Sequence, residues 1–179
     1  LLDYPALMRE KLSFDWFDAQ INVQLLGDSV VMETGLIALN NEDARTTTKV
    51  SMWFPRDTSV SPRIRALSTF RGLDASLTPK YLPAGILQEG LITFLDDSVI
   101  GGDLLRGDIL FNGPLNWRKQ EEDLNMQLGF MIDNTTFRFL PDWAPVTNTQ
   151  VDAIVDRVFV DAYIIGGTYY GASIDQLLA

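Results

Sequence analysis

Cysteine and histidine are both absent from this chain of 179 residues. Without cysteine the chain has no disulfide, no thiolate nucleophile and no cysteine-based metal site. Without histidine it lacks the side chain best suited to proton transfer near neutral pH, which excludes histidine-based triads and most zinc sites. Carboxylate-only chemistry stays open, but the sequence places no pair of carboxylates at a defined distance in a cleft, so we expect no enzyme and no cofactor.

Basic residues are scarce and scattered. The chain has 14 Lys and Arg against 24 Asp and Glu, a net charge of −10, and no basic block. A protein that binds the phosphate backbone needs clustered positive charge, so we expect no nucleic-acid partner.

Long apolar runs are missing as well. No stretch of eighteen apolar residues and no charged-then-apolar leader is present, so we expect neither a membrane span nor a signal peptide within these residues. The first residues, Leu1-Leu2-Asp3, include no initiator Met, which is consistent with a piece of a longer protein. A length of 179 residues with 46% hydrophobic composition predicts a single domain over residues 1–179.

What the sequence does contain is alternation with a period of two. Residues 45–54, 63–72 and 124–133 each place apolar and polar side chains on opposite faces, as half-buried strands do. Residues 21–40 predict two strands or one long bent strand, and Asn134 predicts a turn that returns the chain along 135–140. In all we expect eight to ten short strands, largely antiparallel because most connections are too short for parallel crossovers.

The spacing of apolar residues becomes helical in one segment, between residues 78 and 100. Leu87, Leu91, Phe94, Leu95 and Val99 recur at intervals of three and four. They predict a helix that begins near Pro83 or soon after it and ends at Gly101-Gly102.

These elements predict a fold that is mainly β, with one or two helices and a curved, largely antiparallel sheet. A flat sheet of eight or more strands tends to curl or to split into two layers. One helix packed against such a sheet cannot cover its whole apolar face.

The second half of the chain carries more specific motifs. Tyr81-Leu82-Pro83 precedes the helix, Phe94-Leu95-Asp96 lies near its end, and "RGDILFNGPL" (106–115) follows. Phe139, Pro141, Trp143 and Pro145 complete the series. In order and spacing this series resembles the AsmA-like family of Gram-negative envelopes, specifically its large YhdP-type members, most clearly over residues 79–171. The "FPF" expected after the glycine-proline is replaced by Asn116-Trp117-Arg118.

The resemblance implies an internal segment of a long repeating β-groove, open and taco-like in section. Such a groove spans the periplasm from an inner-membrane anchor missing here, and conducts phospholipid to the outer membrane, supporting its barrier. The partners implied are phospholipid acyl chains, neighbouring segments of the same chain and the inner membrane. The location implied is the periplasm.

Apolar rows on the strands are the candidates for lining such a groove. They could equally form an ordinary closed core, and the sequence does not say which strand face lines the groove. The groove candidates are Val50, Met52, Phe54, Met126, Leu128, Phe130, Ile132, Phe137, Phe139, Val158 and Val160.

Two other interpretations stay open. The aromatic residues could stack on sugars, which would make the chain a carbohydrate-binding β-domain; they are Trp53, Trp117, Trp143, Tyr163, Tyr169 and Tyr170. Alternatively the apolar face merely packs, and the chain is a non-catalytic scaffold module of an envelope assembly. The acid pairs Asp15/Asp18 and Asp96/Asp97 and the run Glu121-Glu122-Asp123 are interpreted as solvated surface charges.

Overall fold

One large antiparallel sheet forms most of the protein. A computed structural model describes residues 5, 8–85, 87–116, 123–156 and 159–174 and the backbone of 176–178. Within this part of the chain the sheet has fourteen strands. They are β1 (Trp16–Asp18), β2 (Ile21–Leu25), β3 (Ser29–Thr34), β4 (Ile37–Asn40), β5 (Arg45–Pro55), β6 (Arg63–Arg71), β7 (Leu73–Asp74), β8 (Val99–Pro114), β9 (Asn125–Phe137), β10 (Val146–Asp156), β11 (Phe159–Ile165), β12 (Thr168–Tyr169), β13 (Ala172–Ser173) and β14 (Gln176–Leu178).

The sheet is curved and open. Its main path runs β1-β4-β5-β6-β8-β9-β10-β11-β14, and β2 joins through β3, which pairs with the second half of β5. Each strand pairing described is antiparallel, as in neighbouring β5 and β6 or β8 and β9. This confirms the predicted fold class: a mainly β, curved, antiparallel sheet that does not close on itself, with a helix packed against it.

The strands are more numerous than the eight to ten predicted. Residues 21–40 form three strands, β2, β3 and β4, instead of two. The β2–β3 turn lies at Gly27-Asp28, where the Leu26 N–H donates to the Ser29 carbonyl at 2.9 Å. β4 is separate because β5, with eleven residues, is long enough to pair with β3 along one half and with β4 along the other.

Helical structure is shorter than predicted and divided. A 3₁₀ turn (Ala75–Leu77) leads into α1 (Thr78–Tyr81), and α2 spans Glu89–Ser98. Leu82 is extended, with φ −68° and ψ 135°, because the following Pro83 disfavours helical backbone before it. The predicted start near Pro83 was therefore about six residues too early.

The predicted helix end at Gly101-Gly102 was also wrong, since both glycines lie inside β8. Gly102 has φ +145°, and a Cβ there would lie 2.9 Å from the Asp133 carbonyl oxygen. The glycine therefore permits close approach of β8 to β9 rather than capping α2.

Asn134 does not turn the chain back. β9 continues through it to Phe137, and Asn134 has φ +49° where the pairing with both neighbouring strands shifts register. Asparagine tolerates this left-handed backbone, so the same residue type serves a turn or a bulge. The predicted turn at Asn134, with a returning strand over 135–140, was therefore wrong.

Candidate functional site

One face of the sheet is apolar from one side to the other. In an antiparallel sheet, residues directly opposite each other point to the same side. One such row joins Val23, Met32, Met52 and Ile64 across β2, β3, β5 and β6. The following rows continue it: Val50–Ala66–Phe111–Met126 and Thr48–Ser68–Ile109–Leu128–Val155–Val160. We call this the apolar face.

The β2 side of the apolar face is uncovered. Ile21, Val23 and Leu25 are 56%, 59% and 76% exposed, although all three are aliphatic. Their neighbours on β3 and β5 are partly exposed. We call this part the open strip, formed by Ile21, Val23, Leu25, Val30, Met32, Val50, Met52 and Phe54.

The other side of the same strands is largely polar. Asn22 and Gln24 alternate with the strip residues on β2, and Lys49 and Ser51 do so on β5. This amphipathic pattern is typical of a sheet whose apolar side is buried, yet no described element covers the strip. A contiguous exposed apolar surface of this kind makes the strip a candidate binding surface.

The β9–β11 side of the apolar face lies beneath α2. Met126, Leu128 and Val155 are 2%, 1% and 0% exposed, and they pack against Leu95 and neighbouring apolar residues of the helix. We call this part the covered half, formed by Met126, Leu128, Phe130, Ile132, Val151, Ala153, Val155, Val160 and Ala162.

A cavity remains between α2 and the covered half. Its volume is about 140 Å³, and Phe94, Leu95, Phe137 and Val155 contribute to its walls. The helix therefore covers this region without filling it.

The structure places the predicted groove residues in both regions. Val50, Met52 and Phe54 belong to the open strip, while Met126, Leu128, Phe130, Ile132 and Val160 belong to the covered half. Phe137 and Phe139 line the cavity. Val158 lies outside the described residues. Whether any of them contacts lipid stays a prediction.

Five members of the open strip were missed: Ile21, Val23, Leu25, Val30 and Met32. A signal for the β2 members was present in the sequence, because Ile21, Val23 and Leu25 alternate with the polar residues Asn22 and Gln24. Alternation identifies which residues share a face but not whether another element covers that face, so the most exposed members were not singled out.

A polar network fastens α1 to the β4–β5 turn. The Tyr81 hydroxyl donates to Asp43 at 2.8 Å, the Lys80 ammonium also donates to Asp43, and Asn41 Nδ2 donates to the Tyr81 oxygen at 2.9 Å. The hydrogen bonds from Lys80 and then Tyr81 lower the pKa of Asp43 below 3.8, and the bond to Asp43 raises the pKa of Lys80. The network has a structural role, because its polar side chains are hydrogen-bonded to one another.

The carboxylates considered from the sequence are dispersed. Asp96 pairs with Arg9 at 2.8 Å, and Asp123 lies 3.9 Å from Arg63. Glu121 and Glu122 lie outside the described residues. No group of three acidic residues in the described ranges is placed to hold a metal ion.

The aromatic residues considered for sugar binding occupy several elements. Trp53 lies on β5 and Tyr163 on β11, while the rings of Tyr169 and Tyr170 meet edge to face with centroids 4.7 Å apart. Trp143 is 54% exposed and Tyr170 is 82% exposed. Trp117 lies outside the described residues. Sugar binding stays an untested alternative.

No helix among the described residues is both long and apolar enough to cross a membrane. An open, curved antiparallel sheet whose apolar face is covered on one side only is typical of open β-groove proteins. The chain belongs to the YhdP family, whose model, described as YhdP protein, matches residues 1–179. This is an AsmA-like family of envelope proteins, and it is not a known enzyme family. No curated protein and no solved structure matches the chain.

Proposed function

We propose that the apolar face binds the acyl chains of phospholipid and conducts them between the inner and outer membranes, in the periplasm. The observation that carries the proposal is the open strip. Three aliphatic side chains more than half exposed, beside a partly exposed row on β3 and β5, form a surface that water solvates poorly. Membership of an envelope family supports the same role.

The energetics of lipid movement require such a surface. A two-chain phospholipid with about thirty methylenes would cost on the order of 24 kcal/mol to expose to water, at about 0.8 kcal/mol for each methylene. A sheet can line a path for hydrocarbon without exposing unpaired backbone, because its N–H and C=O groups bond to neighbouring strands. No residue has to react.

The strip would act together with partners. On this proposal, neighbouring segments of the same protein continue the apolar face, and an anchor holds the assembly at the inner membrane. A scaffold whose apolar face only packs is the competing function, and the buried covered half is the feature that favours it.

A matched pair of double variants tests the proposal. Val23→Asn/Leu25→Asn makes the open strip polar at two exposed positions, so we expect the fold to persist. The control, Leu67→Asn/Ile154→Asn, makes the same kind of change at positions 48% and 56% exposed on the opposite face. The measured quantity is the affinity for a fluorescent phosphatidylethanolamine, together with lipid that co-purifies and is identified by mass spectrometry.

We expect the strip variant to bind about tenfold more weakly, the effect of losing burial of roughly two methylenes. The control should bind like the unmodified protein. Equal affinity of all three proteins, or no binding by any of them, would overturn the proposal in favour of a scaffold.

A further inference from the structure

The cavity beneath α2 is a candidate binding site separate from the open strip. It lies on the same apolar face, between α2 and the sheet, is partly open, and has a volume of about 140 Å³. Its walls are apolar side chains from α2 and from β9, β10 and β11, including Leu95, Phe137 and Ala153. The packing is therefore incomplete where the helix meets the sheet.

Water is a poor occupant of this cavity. Among the described residues that line it, Thr78 has the one polar side chain; it is 7% exposed, and its Oγ1 has no hydrogen-bond partner there. A buried water needs two to four polar partners, and a single hydroxyl does not supply them. Apolar cavities of about 150 Å³ stay dry and accept benzene, so this one suits roughly six carbon atoms.

A smaller void lies beside the cavity on the same apolar face. Its volume is about 20 Å³, it shares the lining residues Thr78 and Phe130 with the cavity, and it extends to Phe70 on β6. The two voids therefore follow the apolar face from β10 toward β6.

We propose that the cavity takes the terminal segment, about six carbons, of a single acyl chain whose remainder lies along the apolar face. The inference rests on the proposed function and adds a second compartment to it. Chain ends fit because the space is narrow and dry, and because the described residues on its walls carry no charge. The covered half is then a part of the lipid path and not a plug.

Filling the cavity tests the inference. Ala153→Leu adds three carbons at a position that is 9% exposed and lines the cavity, where there is room for them. Because the cavity is filled without overpacking, we expect the thermal stability of this variant to be equal to or above that of the unmodified protein. Ala172→Leu, at an exposed position on β13, adds the same three carbons elsewhere as a control.

The probe is a short-chain phosphatidylcholine below its micelle concentration, with both chains ending in trifluoromethyl groups. Fluorine-to-proton nuclear Overhauser effects report which methyl groups the chain end touches. In the unmodified protein and in Ala172→Leu we expect effects at Leu95 and Val155. Ala153→Leu should lose these effects while keeping those at Val23 and Leu25, and its affinity should fall at least about fiftyfold, because the three added carbons displace three or more carbons of the chain.

The outcomes separate the two proposals. Effects at Val23 and Leu25 alone, unchanged by Ala153→Leu, would overturn the cavity inference and leave the proposed function standing. Effects at neither region would overturn both. Effects at Leu95 and Val155 that survive Ala153→Leu would place the chain end outside the cavity and would also overturn the inference.

Discussion

Met52 and Met126 are the same residue type on the same apolar face, yet their surroundings differ. Met126 lies beneath α2 and is 2% exposed, whereas Met52 lies in the open strip and is partly exposed. The difference arises because α2 and the residues before it, including Leu82 and Leu87, pack on the β9–β10 side of the sheet, whereas no described element covers the open strip on β2, β3 and β5. Identical alternation in the strands thus produces a stabilising core on one side and an available surface on the other.

The largest expected effect is on the free energy of unfolding, and it is tested by comparing Met126 with Met52. Met126→Ala removes a buried side chain and leaves a cavity, so we expect a loss of about 2–5 kcal/mol in the free energy of unfolding. Met52→Ala removes contacts already shared with solvent and should cost about 1 kcal/mol or less. Urea unfolding followed by circular dichroism measures both. Equal losses would mean that the open strip is packed as tightly as the covered half.

Two glycine-to-alanine substitutions compare the backbone at the β8–β9 contact with the backbone at the β2–β3 turn. Gly102→Ala places a Cβ 2.9 Å from the Asp133 carbonyl oxygen with φ at +145°, so we expect a loss of about 1–3 kcal/mol. Gly27 lies in the β2–β3 turn beside the open strip, and a Cβ added there would meet no described atom within 4 Å. Gly27→Ala should therefore leave the midpoint of urea unfolding almost unchanged. A loss as large as that of Gly102→Ala would show that the turn is as constrained as the β8–β9 contact.

The smallest expected effect concerns the hydrogen-bond network that joins α1 to the β4–β5 turn. The pKa of Asp43 is lowered by its hydrogen bonds to Lys80 and Tyr81. A lowered folded pKa stabilises the fold above the unfolded pKa of about 3.9, and this contribution is lost as pH falls through the lowered folded value. We expect Asp43→Asn to cost about 1 kcal/mol at pH 7 and progressively less as the pH falls below about 3.9.

Tyr81→Phe serves as the comparison for that experiment. It removes one of the two donors to Asp43 and leaves Lys80 in place, so its unfolding curve should lie between those of Asp43→Asn and the unmodified protein at pH 7. Denaturant unfolding at a series of pH values measures the difference. Parallel stability curves for Asp43→Asn and the unmodified protein across the acid range would show that the network contributes nothing.

Much of the fold followed from local chemistry. Residues 45–54 and 63–72 alternate so regularly that β5 and β6 were located within a residue or two. The elements that were misplaced depend on distant contacts instead. Gly102 is required by the backbone of β9, and Asn134 by a shift in the pairing of β9 with two neighbours, neither of which is visible in the residues alongside.

The candidate site also combines features that follow from local sequence with features that depend on tertiary packing. The sequence by itself determined which side chains share the apolar face, because a strand's period of two follows from its backbone geometry. Which of them are covered is a matter of tertiary packing, because it depends on which strands lie beneath α2 and the segment that leads into it. Val23 and Val155 both lie in alternating strands, and tertiary packing leaves the first 59% exposed and the second 0% exposed.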